Sequence, residues 1–388
     1  MKLINLSVPN LKGNENKYLK KCIDTEWVSS VGSFVNKFEK EISKFTNTKY
    51  AIACNSGTSA LHLALVSSGV KRNDEVIVPT MTFIATPNSV SYINAIPVFM
   101  DCDKYLNIDV DKLKKFFETE TFYKNGNTYN KQTKRKISAI IPVHVSGNAV
   151  DIEPIIKLCR KKNIKIIEDI AEALGTRYIK GKYKNKHVGS QSTSGCLSFN
   201  GNKIITSGGG GMVITNNKRI ANTIRYLSTQ ANNNSQEYIH NEIGYNYRLT
   251  NIQAALGLAQ LEKIKNFVRK KNQIYKFYHK AFKENKNISV LSPPNYSSNN
   301  HWMISIYVKN IKNKKHRSEI IKELKNRGVE SRPMWHLCHL QKPYLKNQSY
   351  LISKAQKLQK KIINIPSSTG ITQKELNKVS SIINKMIL

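Results

Sequence analysis

At 388 residues, 40% of them hydrophobic, the chain is long enough to bury a sizeable core and to divide into one large and one small domain. Its 62 Lys and Arg against 26 Asp and Glu leave a formal net charge of +36, which favours acidic substrates, nucleic acid or an anionic surface as partners. Six scattered cysteines without a C-x-x-C pair argue against a metal site or a disulfide framework, and the lack of any apolar run near ~20 residues argues against an integral membrane segment.

Residues 1–30 read as an N-terminal extension that carries one helix, 14–24, and packs with the small domain. Its first six residues are too short a run, and too polar afterwards, for a signal peptide, so a cytoplasmic protein is expected. A large domain is expected over 31–260. It begins with an amphipathic helix, 34–45, in which Phe34, Phe38, Ile42 and Phe45 recur at helical spacing. Residues 50–54 read as a strand, Asn55-Ser56-Gly57-Thr58 as a turn and 59–65 as a helix. The free amides of that helix start make a ready anion site beside Gly57, although a plain helix cap explains the same residues. His62, among apolar neighbours, reads as core.

Strand-like runs recur at 75–78, 96–100, 137–143, 164–167, 196–199 and 212–215, with helical stretches such as 151–162 between them. This alternation predicts an α/β fold with a mostly parallel central sheet sandwiched by helices. The polar, basic stretch 125–136 reads as a surface loop, and 228–248 is also loop-like. Thr250 and Gln253 have capping-box spacing for a helix from 251 to about 282, roughly 48 Å long. It carries the chain into a smaller α+β C-terminal domain, 261–388, with a strand at 301–308 and helices at 318–326 and 373–386. Basic residues fall in short runs such as Arg160-Lys161-Lys162 and Arg269-Lys270-Lys271. A solvated Lys-rich surface explains the charge, and nucleic acid is not an expected partner.

The stretch 195–214 sets one lysine, Lys203, between an apolar run and four consecutive glycines, 208–211. Two strands flanking a tight turn are expected, with the glycines leaving room for something bulky against it. A desolvated lysine amine bonds covalently to carbonyl compounds and to pyridoxal phosphate. A P-loop does not fit, because Asn202 separates Gly201 from Lys203 and Ile204 follows. Ligands of open α/β sheets gather beyond the carboxyl ends of the strands. There stand Thr82-Phe83, His144, Glu168-Asp169, Ser198, Asn200 and Lys203. An aromatic, an acid, a hydroxyl, an amine and helix-start amides on one edge are the set that pyridoxal phosphate requires.

Together the segments 27–38, 55–65, 168–175, 198–211 and 244–260 resemble the DegT/DnrJ/StrS family of sugar aminotransferases, pyridoxal-phosphate enzymes of fold type I. Within it the chain looks most like the subgroup serving legionaminic acid and related diamino sugars. The resemblance implies that Lys203 binds the cofactor covalently and shuttles the proton, that Asp169 pairs with the pyridinium nitrogen and that Phe83 stacks on the ring. It implies Gly57, Thr58 and Ser198 at the phosphate, with Glu172 and Asn200 also at the cofactor. Asn246 and Arg248 are implied to come from a partner subunit, in a homodimer with shared active sites. Asn246 would reach the phosphate and Arg248 would pair with the amino donor's carboxylate. Arg332 and His339 look like the segment that faces the sugar nucleotide. Glu172 stands where the broad family has Gln or His, and His336-Leu337 where Lys-Pro is common.

The implied reaction moves an amino group from L-glutamate to the 4-keto carbon of a UDP- or GDP-linked 4-keto-6-deoxy sugar, above all one derived from N-acetylglucosamine. A 3-keto sugar or cyclitol acceptor is the enzymatic alternative, and a non-catalytic nucleic-acid-binding protein of the same fold is the other. Sugar dehydratases that resemble these enzymes carry His in the lysine position, so Lys203 favours transfer.

Overall fold

The computed structural model describes residues 3–234 and 236–387. Two helices, α1 (Glu15–Asp24) and α2 (Ser33–Thr46), precede an alternation of β1 (Tyr50–Cys54), α3 (Gly57–Ser67), β2 (Glu75–Pro79), α4 (Ala85–Tyr92), β3 (Ile96–Met100) and α5 (Val110–Thr119). The chain continues through β4 (Thr121–Lys124), β5 (Asn127–Asn130), β6 (Ile137–Ile140), α6 (Ile152–Lys162), β7 (Lys165–Asp169) and the short β8 (Arg177–Tyr178). Then follow β9 (Ser194–Ser198), β10 (Gly211–Thr215), α7 (Lys218–Ser228), α8 (Asn251–Glu262) and α9 (Ile264–Ala281).

One eight-stranded sheet runs in the order β1-β10-β9-β7-β6-β2-β3, closed at its edge by Ser349–Tyr350. Neighbours from β9 to that edge are parallel, whereas β10 runs against both β1 and β9. The parallel strands are covered on both faces, which is why β2 and β6 are buried along their whole length and, but for Glu75 and Ser138, apolar.

Two expectations are corrected. The stretch 125–136 contains β5, which forms an antiparallel hairpin with β4. Asn125 and Gly126 both have positive φ, 49° and 74°, the backbone that an Asn-Gly turn supplies. The single helix from 251 to about 282 is two, with Lys263, at φ −98°, ψ −3°, capping the end of one and the start of the next. The change of face explains the break. α8 is apolar nearly all round and packs on α1 and α2, with Gly257 so close to the Phe38 ring that a Cβ there would come within 2.7 Å. α9 is amphipathic and carries Ile274 and Tyr278 into a separate core shared with the small-domain sheet. The Thr250–Gln253 capping box forms in both directions.

That small sheet holds Ile288–Val290, Ile304–Val308, Ile362–Ile365 and Arg332–Pro333, all antiparallel. The N-terminal extension divides between the two cores. Ile4 pairs with Val329 and the Val8 amide donates to Ser368 Oγ at 2.9 Å, whereas Tyr18 of α1 donates to Glu262 at the end of α8. All six cysteines are buried and unpaired. Among the described residues, no helix is long and apolar enough to cross a membrane, and no group of His, Cys, Asp or Glu could hold a metal ion.

Candidate active site

A cavity of about 380 Å³ opens beyond the carboxyl ends of β1, β2, β7 and β9, where an α/β sheet presents its loops. Gly57, Thr58, Phe83, Asp169, Glu172, Ser198, Asn200 and Lys203 all line it. A larger cavity of about 780 Å³ between α2, α8 and α9 contains none of the candidate site residues.

Lys203 sits in the loop 199–210 that joins β9 to β10, not in a tight turn. Its amide donates to Asn200 O at 3.0 Å, Phe199 N donates to Gly210 O at 2.9 Å and Ser207 N to Phe199 O at 2.9 Å. The glycines serve this path more than they make room for a ligand. Gly210 takes φ 131°, and a Cβ on Gly211 would stand 2.2 Å from Ser56 O, so β10 can press against the chain entering α3. The Lys203 amine is mostly buried. It lies 3.5 Å from Glu172 Oε1 and 4.3 Å from the centroid of the Trp302 ring.

Asp169 ends β7 and is buried. Its Oδ2 accepts from Thr86 Oγ1 at 2.8 Å and its Oδ1 from Ala171 N at 3.1 Å. Burial pushes its pKa up, against those two hydrogen bonds and the nearby Lys203 and His144. A carboxylate held there by neutral donors is one that a cationic ring nitrogen would relieve. Glu172 accepts from Ser146 N at 2.8 Å through Oε2, and burial raises its pKa to about 7.

Behind Asp169 lies a fully buried pair. Val150 N donates to His144 Nδ1 at 3.2 Å, which leaves the ring proton on Nε2, facing Glu168 Oε2 at 2.8 Å. The His144 amide also donates to Asp169 O at 3.0 Å, tying this pair to the end of β7.

At the other side of the cavity, Ser56 caps α3 by accepting from Ser59 N. The Gly57 and Thr58 amides lie in the first turn, where an α-helix has no acceptors of its own. Gly57 must be glycine for packing, since a Cβ would meet Ser198 Cβ at 2.7 Å. Phe83 is 55% exposed, unusual for a large aromatic, with Trp335 6.3 Å away between ring centroids. An amine, a buried acid, unengaged amides with a hydroxyl, and an exposed ring thus share one cavity. That donor set fits a phosphorylated pyridine aldehyde.

Four residues expected at the site do not line this cavity. Asn246 accepts at its carbonyl from Asn55 Nδ2 at 3.3 Å. Arg248 donates to Ser30 O at 2.7 Å and lines a separate cavity of about 560 Å³. Arg332 pairs with Glu330 at 3.0 Å, and His339 Nδ1 is 2.6 Å from Thr80 Oγ1. Conversely, Trp302 was missed. Its indole Nε1 donates to Asn202 O at 2.7 Å, bringing the loop ahead of Ile304–Val308 over Lys203, and no local pattern announces a contact 100 residues distant. Thr86 was missed as well, although it falls one helical turn after Thr82, whose hydroxyl it meets at 3.0 Å.

The description "DegT/DnrJ/EryC1/StrS aminotransferase family" matches residues 9–384. The chain is 36% identical to GDP-perosamine synthase of Caulobacter vibrioides over 388 residues, 99% of this chain and 98% of that protein. It is 33% identical to a putative pyridoxal phosphate-dependent aminotransferase, EpsN, of Bacillus subtilis, over 98% of this chain and 95% of that one. The solved structure of Helicobacter pylori PseC, an aminotransferase involved in the biosynthesis of pseudoaminic acid, superposes with a TM-score of 0.88 at 25% identity, covering 100% and 99% of the two chains.

Proposed function

We propose, from the premise that this chain belongs to the DegT/DnrJ/EryC1/StrS aminotransferase family, that it moves the amino group of L-glutamate onto the 4-keto carbon of a nucleotide-linked 4-keto-6-deoxy sugar. It is a pyridoxal phosphate-dependent sugar aminotransferase of nucleotide amino-sugar biosynthesis. The observation that carries the transfer chemistry is the shared cavity, with the Lys203 amine, the Asp169 carboxylate and the α3 amides all in its wall.

Bound pyridoxal phosphate supplies an electron-accepting ring that makes the proton on the amine-bearing carbon labile. Lys203 Nζ would hold the cofactor covalently and would be the base that takes that proton and returns it. Asp169 keeps the ring nitrogen protonated, and Thr86 and Ala171 hold the carboxylate in place. The Gly57 and Thr58 amides and the Ser198 hydroxyl receive the phosphate, Phe83 covers the ring, and Glu172 and Asn200 complete the cofactor's surroundings.

Arg248 and Asn246 do not line their own chain's cavity, which supports the reading that each serves the site of a partner subunit. Arg248 is then the carboxylate clamp for glutamate. Arg332 and His339 form the approach for the sugar nucleotide. The GDP in the name of the Caulobacter relative favours a GDP-linked acceptor over a UDP-linked one.

The test is incubation with ¹⁵N-glutamate and a panel of GDP- and UDP-linked 4-keto-6-deoxy sugars, with and without an N-acetyl group, together with a nucleotide-linked 3-keto sugar and a keto-cyclitol, read by mass spectrometry. Label on a GDP-linked product supports the reading. Label only on a 3-keto sugar or cyclitol replaces the acceptor, and label on nothing removes the reaction.

A further inference from the structure

Outside the cavity, α9 buries a second lysine. Lys271 is 3% exposed, and its Nζ donates to Trp302 O at 2.7 Å and to Ser367 Oγ at 3.2 Å. No carboxylate among the described residues pairs with it, and burial pushes its pKa down to about 7. Burying an unpaired cation is costly. A methionine of the same length would fill this space without that cost, so packing does not account for a lysine here.

What Lys271 holds is the loop that leads into the small-domain strand Ile304–Val308. Asn300 fastens this loop to the large domain, donating from Nδ2 to Glu172 O at 2.8 Å and to Leu174 O at 3.0 Å. Its Oδ1 accepts from Trp302 N at 2.9 Å. His301 turns the chain through φ 49°, and the Trp302 indole then reaches Asn202 O and the face of Lys203. The indole is pinned at its ring nitrogen, and the hydrogen bond at its backbone carbonyl comes from Lys271.

We propose that Lys271 is a positioning residue for the transfer reaction: by anchoring the Trp302 carbonyl it keeps the indole against the Lys203 amine and limits how far that amine can swing. This rests on the role proposed above for Lys203. A proton-shuttling amine must return to the same place in both halves of the reaction, and small misplacements of reacting groups are expensive in rate. Ser367 Oγ accepts from the same amine. Its amide donates to Leu6 O at 2.9 Å, so the anchor is braced by the small domain and the N-terminal extension.

The experiment is a double-mutant cycle in the full-length enzyme, Lys271→Met against Trp302→Leu, read by kcat, by KM for glutamate and by tryptophan emission. Emission is taken in a Trp27→Phe/Trp335→Phe background, where Trp302 is what remains of the three tryptophans. Lys271→Met is expected to lower kcat about tenfold or more while KM for glutamate stays within about threefold. The thermal midpoint should be unchanged or higher, because a buried charge is gone, and the Trp302 emission should shift to the red. On the Trp302→Leu background the same change should have no further effect on kcat. Lys271→Gln keeps a donor for the carbonyl, should recover part of the loss, and stands in if the Met variant does not fold. Unshifted emission or unchanged kcat in the Lys271 variants, or effects of the two sites that simply multiply, overturns the proposal. If the wild-type enzyme transfers no amino group, the function reading fails by itself, and unshifted emission still overturns the placement of Trp302 by Lys271.

Discussion

Glu172 Oε1 stands 3.5 Å from Lys203 Nζ, while Glu172 Oε2 accepts from Ser146 N. Burial lifts the carboxyl from its ordinary 4.5 to about 7, so a group beside the amine changes charge near neutrality. Between those two values the folded chain keeps a proton that the unfolded chain has lost. The stability this group contributes is therefore complete below pH 4.5 and is lost as pH rises through about 7. Glu172→Gln cannot ionise and is expected to flatten that decline in thermal midpoint, measured across pH on cofactor-free protein. A slope identical to wild type would show that the carboxyl titrates elsewhere.

Lys203→Ala is expected to cut amino transfer by about 10³-fold or more, since both the covalent hold and the proton shuttle are lost. Borohydride reduction in the presence of pyridoxal phosphate, followed by peptide mass analysis, should place the adduct on Lys203 in wild type and nowhere in the variant. An adduct on Lys271 instead would relocate the chemistry.

Asp169→Asn keeps the shape of the side chain and removes its charge. Turnover is expected to fall about 100-fold or more, because an amide cannot hold a ring nitrogen in its cationic form. Thr86→Val should cost less, on the order of tenfold in cofactor affinity, for one hydrogen bond to an ionised oxygen. Equal losses in the two variants would mean that Thr86 does more than orient the acid.

Gly211→Ala should be among the most damaging small changes in the large domain. The added Cβ would lie 2.2 Å from Ser56 O, 2.4 Å from Ser56 C and 2.7 Å from Gly57 N, and backbone cannot step aside as a side chain can. A loss of about 3 kcal/mol in denaturant unfolding is expected, together with weaker cofactor binding as the start of α3 shifts. A loss below about 0.5 kcal/mol would show that the two segments separate easily.

Phe83→Ala separates a core ring from a cofactor platform. At 55% exposure its removal should change the stability of cofactor-free protein by less than about 0.5 kcal/mol, while pyridoxal phosphate binding weakens measurably. Stability loss without a change in binding would return Phe83 to the core.

The sheet was legible because its parallel strands are sealed on both faces and are therefore mostly apolar, as β2 and β6 are apart from Glu75 and Ser138. The acid, the amine and the helix start were legible because strand ends collect ligands and these residues sit at strand ends. The break at Lys263 was not, because it answers to which core each helix face meets, and periodicity within one segment carries no record of that. The hairpin at Asn125-Gly126 could have been found from its dipeptide and was hidden by the basic residues around it. Trp302 and Lys271 lay beyond reach for another reason: their meaning comes from one loop folding over another 100 residues away in the chain.

The six cysteines, each 0–1% exposed, give the molecule a built-in reporter. Burial drives the thiols of Cys54, Cys159 and Cys338 up to about 12 and raises the other three as well, so none offers an alkylating reagent a thiolate at neutral pH while the chain is closed. Modification must wait for the protein to open. Cys54 and Cys196 lie in the central sheet, whereas Cys22 lies on a peripheral helix, and the order in which they acquire label would time the breathing of rim and centre on one mass spectrum.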